Sequence, residues 1–76
     1  MDVITATVDA RGQSCPGPLV VLHKALKDAV RGGLLELLAT DPGSRSDVPS
    51  WSTLSGNELI EAIEDGGVFR FVVRKA

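Results

Sequence analysis

The sequence predicts an α/β fold, and three stretches carry that prediction. Residues 3 to 8, Val-Ile-Thr-Ala-Thr-Val, are β-branched apart from Ala6, and their alternation sets Ile4, Ala6 and Val8 toward a core with Thr5 and Thr7 facing out. From Leu19 onward the period is helical: Leu19, Leu22, Leu26, Ala29 and Val30 share a stripe, away from Lys24, Lys27, Asp28 and Arg31. Toward the end, Phe69, Phe71 and Val73 alternate with Val68, Arg70, Val72 and Arg74, the period of a strand.

The remaining elements follow from the punctuation between these runs. Asp9 to Ser14 is polar and contains Gly12, which makes it a connection, and Gly32-Gly33 stops the first helix. Leu34 to Thr40 is a short apolar run between that glycine pair and Asp41-Pro42, sized for a second strand. Ser44 to Ser55 reads as a short helix with Pro49 near its first turn. Residues 57 to 65 give a conflict: Leu59, Ala62 and Ile63 against Glu58, Glu61, Glu64 and Asp65 look helical, with Asn57 as N-cap and Gly66 as the stop. Gly66-Gly67 is equally a hairpin signal, which would make the same segment a strand.

Composition bounds the function. A chain of 76 residues makes one domain, residues 1–76, with 43% hydrophobic and 24% charged residues, the balance of an ordinary globular protein. A formal net charge of −2 argues against non-specific nucleic-acid binding. No basic leader or long apolar run is present, so a cytoplasmic protein that does not enter the membrane is expected. Cys15 is the single cysteine: it forms no internal disulfide, and with one histidine beside it no metal site and no cofactor are expected.

The tetrapeptide Cys15-Pro16-Gly17-Pro18 holds the most chemical information. Pro16 disfavours the helical conformation for Cys15, so the cysteine is expected at an N-cap with the helix beginning at Pro16. First-turn amides have no internal partner, so both prolines fit there, with Gly17 as the nearest free donor. Partial positive charge at a helix N-terminus favours thiolate over thiol and makes the cysteine nucleophilic. A lone cysteine is more commonly a small buried hydrophobe, but the position between Ser14 and Pro16 at a loop-to-helix junction favours the reactive reading. Arg11 is the candidate for steadying a thiolate or persulfide anion. His23 is expected at the core margin, Lys24 and Lys27 on a solvated helix face, Trp51 as an anchor in the core, and Arg70 and Arg74 facing solvent.

Asp9-Ala10-Arg11-Gly12-Gln13-Ser14-Cys15-Pro16-Gly17-Pro18 resembles the N-terminal signature of the TusA/SirA-like sulfur-carrier family, in which a Cys-Pro-x-Pro motif opens the first helix. The likeness continues through Asp41-Pro42, Asp47-Val48-Pro49-Ser50-Trp51, Gly56-Asn57-Glu58-Leu59 and Phe69-Arg70-Phe71-Val72-Val73-Arg74-Lys75. The resemblance implies a two-layer α/β sandwich, β-α-β-α-β-β, with a four-stranded mixed sheet and both helices on one face. It makes residues 57 to 64 a strand, against the local helical pattern. It implies a sulfur relay in which Cys15 accepts sulfane sulfur from a cysteine desulfurase or rhodanese-type donor and hands it to an acceptor protein. That acceptor serves tRNA thiolation, cofactor synthesis or sulfur oxidation. Pro16, Gly17, Pro18 and Arg11 would support the cysteine.

Gly17 stands where relatives often have an acidic residue, and Ser52 where some have a second cysteine, so discharge must occur on another molecule. Two other classes fit the same residues: a regulatory adaptor without covalent chemistry, and a redox-sensing thiol protein. Uptake of sulfur at Cys15 separates them, since an adaptor works with serine there.

Overall fold

The computed structural model describes residues 4–14 and 17–76. The elements run β1 (Ile4–Ala10), α1 (Gly17–Lys27), β2 (Leu34–Ala39), α2 (Ser44–Ser55), β3 (Glu58–Asp65) and β4 (Val68–Arg74), the order implied by the family resemblance. The expected strand start at Val3 lies outside the described residues.

The sheet order is β1-β2-β4-β3. β1 and β2 pair in parallel, which requires a crossover, and α1 supplies it. β2 and β3 are both antiparallel to β4, so they run parallel to each other with α2 as the second crossover. β4 then fills the gap between them through a hairpin whose turn, Gly66 at φ 59 and Gly67 at φ 85, has the left-handed backbone that joins twisted strands.

One face of the sheet carries the core. Leu22 and Leu26 of α1 and Val48 of α2 pack against Ala10, Leu35, Leu37, Phe69, Phe71 and Val73, with half-buried Trp51 against the same cluster. Phe69 and Phe71 stack side by side, ring centroids 6.5 Å apart. Both helices therefore cover one face of the sheet. No described helix is long and apolar enough to cross a membrane.

Residues 58–65 are a strand, as the family resemblance implies, and the cause of their helical local pattern is a bulge. Leu59 lies opposite Val73 and Ala62 opposite Phe71, so two residues three apart share a face, the spacing of a helix turn. Asn57 accordingly follows the C-cap of α2 at Gly56 and caps no helix of its own.

A register shift between Ile4 and Ala6 acts likewise, setting Ile4 opposite Leu34 and Ala6 opposite Leu35. Those partners face opposite ways, which removes Ile4 from the core face and leaves it 37% exposed.

α1 ends at Lys27, five residues before Gly32, so Ala29 and Val30 lie beyond the helix and Val30 is exposed. The last turn tightens through Asp28 N–H to Ala25 O and Ala29 N–H to Leu26 O. The Lys75 ammonium then takes the Ala29 carbonyl at 2.8 Å and the Lys27 carbonyl at 3.4 Å.

α2 begins earlier than its proline suggests. Ser44, Arg45 and Ser46 donate to Asp41, Pro42 and Gly43, a tight first turn that places Pro49 well inside the helix.

On the face away from the helices, Thr7, Glu36, Val72 and Glu61 form one row across all four strands. Thr7 donates its hydroxyl to Glu36 at 2.9 Å. Arg70, expected to face solvent, instead bridges Glu36 and Glu61 across this row, and Val72 beneath is only 3% exposed. Arg74 reaches Glu58 at 3.3 Å.

Candidate functional site: the edge where both helices begin

Because β1 and β2 are parallel, they end at the same edge of the sheet, and the loops after them lead into α1 and α2. That edge is where an open α/β sheet presents groups to ligands. Two helix N-termini begin there, at Gly17 and at Ser44, so two partial positive charges favour an anion at this end.

The first loop is built by hydrogen bonds more than by packing, since Arg11, Gly12, Gln13 and Ser14 are all exposed. Gln13 N–H donates to the carbonyl of fully buried Ala10 at 3.2 Å, closing a turn in which Gly12 takes φ 81. A residue with a side chain is strained at that φ, and glycine is not. The Gly12 N–H in turn donates to Thr40 Oγ1 at 2.9 Å, which joins this loop to the one after β2.

Cys15 and Pro16 lie outside the described residues, and with them the expected N-cap and helix start. The residues on either side are joined: Gly17 N–H donates to Ser14 O at 2.8 Å. Gly17 is therefore not the free amide donor that the sequence suggested. Gly17 also accommodates Gln13, because a Cβ there would lie 2.9 Å from Gln13 Oε1 and 3.2 Å from Gln13 Cβ. Pro18, buried beside it, fixes the first turn of α1 against the core.

Arg11 has a partner that the sequence reading left out. Its Nε and Nη2 each donate to one oxygen of Asp9 at 2.9 Å, and its backbone N–H adds a third bond to that carboxylate at 3.1 Å. These bonds hold the Asp9 carboxyl down to about 2 and raise the Arg11 guanidinium further.

His23 is exposed, not packed at the core margin, and lines a shallow hollow with Leu26, Lys27, Ser55, Asn57 and Lys75. Lys24 and Lys27 are exposed as expected. Ser52 is a structural hydroxyl: it is 4% exposed and donates to the carbonyl of Asn57, tying the end of α2 to the start of β3. Thr40 and Gln13 were invisible as site residues in the sequence. Thr40 reads there as the end of an apolar strand, and Gln13 as one more polar loop position.

Comparison with known proteins agrees with this fold. Residues 6–75 match the family described as Sulfurtransferase TusA. The chain is 40% identical over 72 residues to the sulfur carrier protein TusA of Pseudomonas paraeruginosa strain PA7, covering 95% of this chain and 91% of that one. It is 41% identical over 70 residues to the protein of the same name from Pseudomonas putida strain GB-1, covering 92% and 88%. Among solved structures, a SirA-like protein from Desulfitobacterium hafniense superposes with a TM-score of 0.79 at 28% identity, over 91% of this chain and 95% of that chain. The chain belongs to the TusA family of sulfur carriers.

Proposed function

We propose that Cys15 carries sulfane sulfur as a persulfide and passes it between two proteins in the cytoplasm. The observation that supports this most is the Cys15-Pro16-Gly17-Pro18 run leading into α1, at the sheet edge where both helix N-termini favour an anion.

In the loading step the Cys15 thiolate attacks the terminal sulfur of a donor persulfide. The donor sulfur–sulfur bond breaks, its cysteine leaves as a thiolate, and the terminal sulfur stays on Cys15. In the discharge step an acceptor thiolate attacks that terminal sulfur and Cys15 leaves as a thiolate, so the relay needs no outside oxidant or reductant. A cysteine desulfurase or a rhodanese-type protein suits the donor role. The acceptor belongs to tRNA thiolation, cofactor synthesis or sulfur oxidation.

Gly17, Pro18 and Pro16 set the entry to the helix, and Arg11 supports the anion through Nη1, which lies outside its fork with Asp9. Without a second cysteine no internal disulfide releases the sulfur early.

Intact-mass measurement after incubation with a cysteine desulfurase and cysteine tests the reading. The wild type should gain one sulfur and lose it to an acceptor thiol, and Cys15→Ser should gain none while staying folded, since serine is a good N-cap. A Cys15→Ser chain that sustains the cellular function at normal levels would replace the carrier with an adaptor.

A further inference from the structure

We propose that Thr40 is a positioning residue for Cys15, acting through the hydrogen bond from Gly12 N–H to Thr40 Oγ1. The inference rests on the sulfur-carrier reading and adds to it a residue from the opposite loop.

Thr40 stands on firm ground. It is half-buried and follows Ala39, which is fully buried and paired on one side with Ala10 and on the other with Phe69. Its branched side chain is stiff at χ1. Asp41, next in the chain, precedes Pro42 and is itself restricted.

The loop it holds has no such support. Arg11 to Ser14 are exposed, so no buried side chain fixes their position and the hydrogen bonds must do so. The hydrogen bonds run from Gly12 N–H to Thr40 Oγ1, from Gln13 N–H to Ala10 O, and from Gly17 N–H to Ser14 O. Cys15 lies in sequence between the last two of these residues. The bond to Thr40 is the link in this series that ties the loop to the end of β2. Sulfur transfer between two proteins needs the thiol in one place at each encounter, and a loop ordered beforehand spares each partner the cost of ordering it.

Thr40→Val keeps the branched shape and removes the acceptor, whereas Thr40→Ser keeps the acceptor. The rate of loading from glutathione persulfide, read by intact mass, should fall about fivefold in Thr40→Val and recover in Thr40→Ser. The Gly12 amide should exchange slowly with solvent in the wild type and faster in Thr40→Val. Thr40→Ala repeats the comparison if Thr40→Val does not fold. Wild-type loading in the valine variant, a serine variant as slow as valine, or an unprotected Gly12 amide in the wild type overturns the inference. A wild type that takes no sulfur sinks the carrier reading by itself. Alkylation of Cys15 by iodoacetamide then decides the tether: a rate altered in Thr40→Val and restored in Thr40→Ser supports it, and equal rates overturn it.

Discussion

Arg70 on β4 reaches Glu36 on the neighbouring strand β2, and its Nη1 donates to Glu61 on β3, the neighbour on the other side, at 3.0 Å, so one side chain clamps the three strands on the uncovered face. Hydrogen bonds from Arg70 and Thr7 hold the Glu36 carboxyl below its usual range. Its stabilising contribution is therefore complete above the unfolded value, roughly 4.3. It is lost as pH falls through the lowered native one. Arg70→Met should cost about 1 kcal/mol near neutral pH, discounted for solvent around the pair. Urea unfolding at a series of pH values should show the gap from wild type closing in acid.

Ser52→Ala should cost about 1 to 3 kcal/mol, because it leaves the Asn57 carbonyl without its buried donor. Ser52→Cys puts a second thiol at a buried position, and that thiol should take up no sulfur. Thermal unfolding and intact mass after loading check the two halves.

Lys75→Met should destabilise the chain by about 1 kcal/mol, since the Lys75 ammonium satisfies the carbonyl of the last residue of α1 and that of Ala29 just beyond it. The amides of the last turn of α1 should lose exchange protection before those of β4.

Cys15 should titrate below the free-cysteine value of roughly 8.5, by a modest amount because the Gly17 amide is already given to Ser14. Asp9→Asn removes the carboxylate that neutralises Arg11 and should lower the midpoint further; Arg11→Gln should raise it. The pH dependence of alkylation by a small reagent measures all three. A thiol unmoved by both changes would remove Arg11 from the site.

Most of the fold was legible where the hydrophobic period was unbroken. Phe69, Phe71 and Val73 gave β4, and Leu22 and Leu26 gave the buried stripe of α1. The misplacement of Ile4 and the helical local pattern of residues 58–65, which only the family resemblance resolved to a strand, share one cause: an extra residue in a strand moves its neighbours to the other face, and a fixed period cannot register that. The end of α1 was misplaced because Lys75, 46 residues from Ala29, supplies the cap. The cysteine motif was local and therefore readable, while Thr40 and the clamp at Arg70 depend on which strands lie side by side.

The strand made last has its place in the middle. On a ribosome, β1, α1 and β2 can emerge and pair, but β3 has nothing to join until β4 arrives to separate and connect it to β2. The nascent chain should therefore hold an incomplete sheet until residues 68–74 leave the exit tunnel. A chain cut short before them would keep the β1–β2 pair and leave β3 without a neighbouring strand.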